Sequence, residues 1–161
     1  MTSAAGGPPA ESVGRWLVEA RARSGASAEE VWPLIGEAHR WKEWSFLTRS
    51  ELVRTGDPAP DGVGAVRRFT RYGIGSKEEV VAWEPPRHLA YRILSGFPAR
   101  HYRADVTITP EGSGCLIAWS ATFDAKIPGT GRLLVVVLKR MLGGFATGAA
   151  GYADRLRTHQ P

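Results

Sequence analysis

Cysteine is almost missing from this sequence. Cys115 stands alone among 161 residues, so no internal disulfide can form. Histidine is nearly as sparse. Four dispersed histidines with no second cysteine do not make a structural zinc site, and neither a metal nor a cofactor is expected. Basic residues never run five or six together. Arginine outnumbers lysine and is scattered, so the net charge of +5 reads as a solvated face rather than a nucleic-acid footprint. No unbroken apolar stretch reaches the ~18 residues of a membrane span. The N-terminus lacks the basic-then-apolar layout of a signal peptide. These absences predict a soluble, cytoplasmic protein that neither binds nucleic acid nor spans a membrane.

What is present suffices for a real core: hydrophobic residues make up 43% of the chain, and six of them are tryptophan. Residues 1–14 are rich in Ala, Gly, Pro and Ser and cannot bury enough apolar surface to order themselves. A flexible tail is expected there, followed by one domain over residues 15–158.

The strongest pattern lies at the far end. Leu134, Leu138, Met141, Phe145, Ala149, Tyr152 and Leu156 recur at spacings of four and three, which keeps them on one face of a helix. The spacing predicts one long amphipathic helix over residues 129–158. Gly143, Gly144, Gly148 and Gly151 each cost about 1 kcal/mol against alanine inside a helix. They either permit close packing or a kink, or leave room for a ligand between helix and sheet.

Earlier in the chain, Trp16 to Arg23 alternates apolar and polar residues, as a half-buried strand does. Ser27-Ala28-Glu29-Glu30 is a capping box and opens a short helix that contains Pro33. Trp41 and Trp44, three apart, suit a second helical turn. Trp41 is expected to pack in the core, whereas Trp44 and Phe46 are candidates for a cavity mouth. Strands follow near 51–55, 66–72, 77–83, 88–94, 100–109 and 115–123, separated by short Gly- and Pro-containing turns that favour an antiparallel meander. A sheet and a long amphipathic helix bury each other, and a space left between them is a common ligand site.

These motifs, in this order, resemble a known family. Residues 26–32 with Trp41 and Trp44 match it, as do Gly62-Val63-Gly64 before a strand and residues 80–86 with residues 89–92. Thr109-Pro110-Glu111-Gly112-Ser113-Gly114 before another strand matches too. Over residues 15–158 the chain looks like the polyketide cyclase/dehydrase-like branch of the START and pollen-allergen (SRPBCC) superfamily. The resemblance implies an α+β helix-grip fold: a seven-stranded antiparallel sheet wrapped around a long C-terminal helix, two short helices after the first strand, and a hydrophobic cavity. Members include carriers, sensors, lipid-transfer domains and aromatase/cyclases, so activity does not follow from the fold.

The residues themselves suggest what lines such a cavity. If Phe69 faces it, period two puts Arg67 and Arg71 on the same face. They either form a fork for a carboxylate or carbonyl or sit at the sheet rim with their heads in water, the commoner situation. Arg68 is expected outside. Tyr91 and Tyr102 offer hydroxyls that need a partner when buried, and Trp119 an apolar wall. Leu138, Met141 and Phe145 come from the helix. The candidate ligand contacts are thus Trp44, Phe46, Arg67, Phe69, Arg71, Tyr91, Tyr102, Trp119, Leu138, Met141 and Phe145. His88 and His101 fall on the opposite face and are expected in water. Glu78 and Glu79 point to opposite faces and cannot form a carboxylate dyad. No catalytic residue can be named. The expected function is binding of a small, largely hydrophobic ligand. The alternative is a polyketide cyclase, aromatase or dehydratase using the same cavity.

Overall fold

The computed structural model describes residues 14–159. The tail expected over residues 1–14 lies, but for Gly14, outside them. Strand β1 (Trp16–Ser24) leads to helix α1 (Ala28–Gly36), a single 3-10 turn and helix α2 (Trp41–Trp44). Six strands follow: β2 (Arg49–Arg54), β3 (Val66–Arg71), β4 (Ile74–Glu84), β5 (His88–Ser95), β6 (Ala99–Glu111) and β7 (Gly114–Ala125). The chain closes on helix α3 (Gly131–Thr158). The strands form one seven-stranded antiparallel sheet in the order β1-β7-β6-β5-β4-β3-β2. This is the helix-grip architecture.

Local chemistry sets each boundary. Ser27 accepts from the Glu30 amide while the Glu30 carboxylate accepts from the Ser27 amide, closing the capping box of α1. At the other end of α1 the Leu34 and Ile35 carbonyls accept from the Trp44 and Trp41 indoles, each at 2.8 Å. Those bonds satisfy acceptors that a helix end leaves open, and they pin both rings beneath α1. Tyr72 (φ 51°) and Gly73 (φ 84°) form a two-residue turn between β3 and β4. That turn is tighter than the 73–76 gap left between the strands expected over 66–72 and 77–83, and Gly75 lies inside β4.

α3 lies along β1. A side chain at Gly131 would collide with the Trp16 ring. At the other end Asp154 accepts from Ser24 Oγ at 2.7 Å and from the Gly25 amide at 2.8 Å. The buried face of α3 is Leu134, Leu138, Leu142, Phe145, Ala146, Ala149, Ala150 and Ala153, with Met141 and Tyr152 half-buried and Leu156 exposed. The stripe therefore sits about one residue round from the predicted one, because small alanines rather than Tyr152 and Leu156 face the sheet and α1. By length and composition alone, α3 is also long and apolar enough to span a membrane. This corrects the expectation that no segment qualifies. Its buried stripe packs on the sheet, as in a core helix.

The glycines resolve separately. A Cβ at Gly148 would stand 2.6 Å from the Trp44 carbonyl oxygen, so close packing explains that glycine. Cβ atoms at Gly143 and Gly144 would meet nothing within 4 Å, and neither residue borders the cavity described next.

Candidate ligand-binding site

A cavity of about 210 Å³ lies between the sheet and α3, at the end where β3 turns into β4 and β5 into β6. Alternation along each strand supplies its wall: Phe69 and Arg71 from β3, Ile74, Ser76 and Glu78 from β4, Tyr91 and Ile93 from β5. Tyr102 comes from β6, Phe97 from the β5–β6 turn, and Met141 and Phe145 from α3. Trp41, Phe46 and Leu47 close the side nearest α2.

Its floor is aromatic and buried. Trp41 is the hub, stacked on Phe69 with centroids 4.4 Å apart and edge-on to Tyr91, Trp119 and Phe145 at 5.1–6.4 Å. Arg67 is 0% exposed. Its guanidinium carbon lies 5.0 Å from the Trp41 centroid, 5.2 Å from Phe69 and 5.3 Å from Tyr91. Arg67 donates to Glu78, which sits directly opposite on β4. Its Nε has no acceptor among the described residues. The rim reading therefore fails for Arg67, whose charge is neutralised inside the sheet's concave face rather than in water.

Glu78 turns one side to Arg67 and the other to the cavity. Burial pushes its carboxyl above the ordinary carboxylate range, and Arg67 limits the rise. Tyr91 accepts from Trp119 Nε1 at 3.1 Å. Burial, then the neighbouring Tyr102 and Glu78, hold Tyr91 well above the usual tyrosine range. Tyr102 is raised by burial and Glu78, and a hydrogen bond with Tyr91 opposes the rise. Both tyrosines are neutral hydroxyls at any ordinary pH. Glu78, Tyr91 and Tyr102 thus converge at one end of a largely apolar space.

At the rim, Phe46 stacks on Phe145 at 5.0 Å, and Arg71 lies 5.7 Å from the Phe46 centroid. Arg71 is exposed, as the rim reading expects.

Of the predicted contacts, Phe46, Phe69, Arg71, Tyr91, Tyr102, Met141 and Phe145 border the cavity. Trp44, Arg67, Trp119 and Leu138 do not; all four are buried behind the wall. Trp41 packs in the core as expected, but Trp44 does not line the cavity mouth. The Trp44 indole is tethered to Leu34 in the core, and the Trp41 ring reaches the cavity. Sequence reasoning also missed Glu78, Ile74, Ile93 and Phe97. Glu79 does point the other way, to Arg54 and Arg92. His88 is half-buried rather than free in water, 2.7 Å from Asp105, and the exposed His101 lies 2.9 Å from Asp124. Neither histidine borders the cavity. Among the described residues no cluster of three His, Cys, Asp or Glu side chains suits a metal ion.

A seven-stranded antiparallel sheet gripping one long helix defines the helix-grip class of fold. Within it, the model of the polyketide cyclase / dehydrase and lipid transport family matches residues 15–157, and the chain belongs to that family. An uncharacterized protein of Mycobacterium tuberculosis is 26% identical over 117 residues, 71% of this chain and 68% of the relative. A START superfamily protein from Mycobacterium smegmatis superposes with a TM-score of 0.74 at 14% identity, over 87% of this chain and 98% of that one. Norcoclaurine synthase from Thalictrum flavum, in complex with dopamine and hydroxybenzaldehyde, gives 0.70 at 14% identity over 100% and 98%. At such identities the structural likenesses carry the fold alone. Family membership suggests a hydrophobic ligand.

Proposed function

We propose that the cavity between sheet and α3 binds a small, largely apolar molecule, held by its rings and oriented by one polar group directed at Glu78, Tyr91 and Tyr102. The observation that carries this is an aromatic cavity with three convergent hydrogen-bonding groups at one end. Size narrows the class. A dry cavity of ~150 Å³ accommodates benzene, so about 210 Å³ suits one substituted ring or a short chain. A polycyclic ligand would have to protrude past Phe46 and Ile74. Uptake of a small apolar fluorescent probe tests the reading. Saturable binding is expected, with loss in Met141→Trp, which fills the space. No saturable uptake of any such probe by the unmodified protein would end it.

One observation favours a second reading, the cyclase, aromatase or dehydratase type. Glu78 is a buried carboxyl facing the cavity with its proton affinity raised, a common preparation for general acid–base chemistry. In that case Glu78→Gln abolishes turnover of a cyclisable substrate while the apolar probe still binds. In a carrier, Glu78→Gln changes ligand affinity and there is no turnover to lose.

A further inference from the structure

The end of the molecule at which the cavity opens is unlike the rest of its surface. Tyr72 and Ile74, at the β3–β4 turn, are 81% and 82% exposed. Antiparallel register brings the β7–α3 connection to that same end, where the Lys126 amide donates to the Pro98 carbonyl in the β5–β6 turn. Ile127 is exposed there, and the first turns of α3 continue the pattern with Leu133 (62%), Val136 (65%) and Val137. Leu133, Val136, Val137 and Arg140 are spaced to share one face of α3. Exposed apolar side chains scattered singly are ordinary, but this many at one end, around a cavity opening, mark a contact surface.

The charges indicate what it contacts. Between Asp124 and Asp154 the chain carries Lys126, Arg132, Lys139 and Arg140 and not one acidic residue. All four are exposed, interleaved with the apolar positions. The β3–β4 turn adds Arg71, and no acid falls between Asp61 and Glu78. A second copy of the same face would set these cations against their own kind. A nucleic acid would use the cations but not the aliphatic side chains between them. A surface that is both negatively charged and able to admit Ile, Leu and Val side chains uses both.

We infer that this end docks on an anionic lipid bilayer, with Tyr72, Ile74, Ile127, Leu133 and Val136 entering the headgroup region and the basic residues above it. The docked cavity then opens toward the lipid. The inference does not depend on what fills the cavity, because the exposed side chains alone carry it.

Sedimentation of the full chain with vesicles tests it. Binding is expected to vesicles of phosphatidylcholine with phosphatidylglycerol, to weaken as salt rises, and to be slight on phosphatidylcholine alone. The triple variant Arg132→Gln, Lys139→Gln, Arg140→Gln should lower partitioning on the order of a hundredfold, at about fivefold per charge. Val136→Glu should lower it about tenfold or more. Apolar-probe uptake, measured without vesicles, should not change in either variant, which separates this test from that of the cavity. Three results would overturn the inference: no binding to the anionic vesicles, equal binding by both variants, or a concentration-dependent dimer that Val136→Glu breaks while vesicle binding is absent.

Discussion

Arg67 and Arg71 stand four residues apart on the same face of β3, yet the floor and the rim of the cavity make different groups of them. Arg67 is sealed under three aromatic rings and paired with Glu78. Arg71 lies in the open between Phe46 and Tyr72. Depth, not residue type, decides what a charge contributes. At the floor, both members of an ion pair have lost water, so each depends on the other and removal of one is costly. At the rim, water replaces whatever is taken away, and the same guanidinium is worth little to stability.

The largest difference should appear on removing one partner of the pair. Glu78→Ala strands Arg67 in an apolar site and should cost ~3–5 kcal/mol of unfolding free energy in urea titrations. Replacing both, as Arg67→Met with Glu78→Gln, should recover most of that loss. If Glu78→Ala unfolds like the unmodified protein, the floor is wetter than its burial implies.

Next in size is Tyr91→Phe. It removes the acceptor of Trp119 Nε1, and a buried donor left without a partner costs ~1–3 kcal/mol. Tyr102→Phe, one strand away, should affect stability less and ligand binding by about tenfold, the worth of one hydrogen bond. Equal stability effects in the two variants would contradict the distinct partners assigned here.

The pH dependence follows from Glu78. Its carboxyl ordinarily titrates at 4.5 and is raised in the folded chain. As pH rises from about 4.5 to the raised value, the folded state holds more protons than the unfolded one, so stability falls across that window. The slope is at most about 1.4 kcal/mol per pH unit for one proton. Compared with the doubly replaced variant, in which other groups cancel, the unmodified protein should lose stability relative to it from pH 4.5 upward. A flat difference between pH 4 and 8 would show that Arg67 holds the carboxyl at its usual value.

The smallest effect belongs to the rim. Arg71→Ala should cost about 0.5–1 kcal/mol or less in stability, the worth of an exposed cation over a ring. It should weaken binding of a ligand anion by no more than about tenfold. A loss as large as that of Glu78→Ala would erase the distinction between floor and rim.

The same contrast explains what could be read from the sequence. The α3 periodicity, the Ser27 capping box and the alternation of the strands are local signals, and each led to the right element. The pairing of Arg67 with Glu78 is not local. It follows from a two-residue turn at Tyr72–Gly73, which sets the register that puts the two opposite each other. A tyrosine at positive φ does not announce such a turn, and the wider 73–76 gap expected between the strands left Arg67 without its partner. Trp44 was misplaced at the cavity mouth for a similar reason. Spacing of three marks both as buried, but only the tertiary bonds to Ile35 and Leu34 fix which ring reaches the cavity. The rim residues Phe46 and Arg71 were found because strand period and aromatic content suffice there, whereas Trp119 and Leu138, equally apolar, lie one layer too deep.

The pairing of β1 with β7 bears on how the protein is made. Trp16 finds Phe123 across the ladder, and α3 then covers both strands. On a ribosome, β1 emerges ahead of the other strands of the sheet and must wait for about a hundred residues before its neighbour exists, a long closure that slows folding. Until then its Val18 face and its unpaired edge are open to other nascent chains. Arg21 and Arg23, alternating with the apolar positions of that strand, keep it charged through the wait. β1 is thus among the last strands of the sheet to be paired, and α3, which covers it, is made later still.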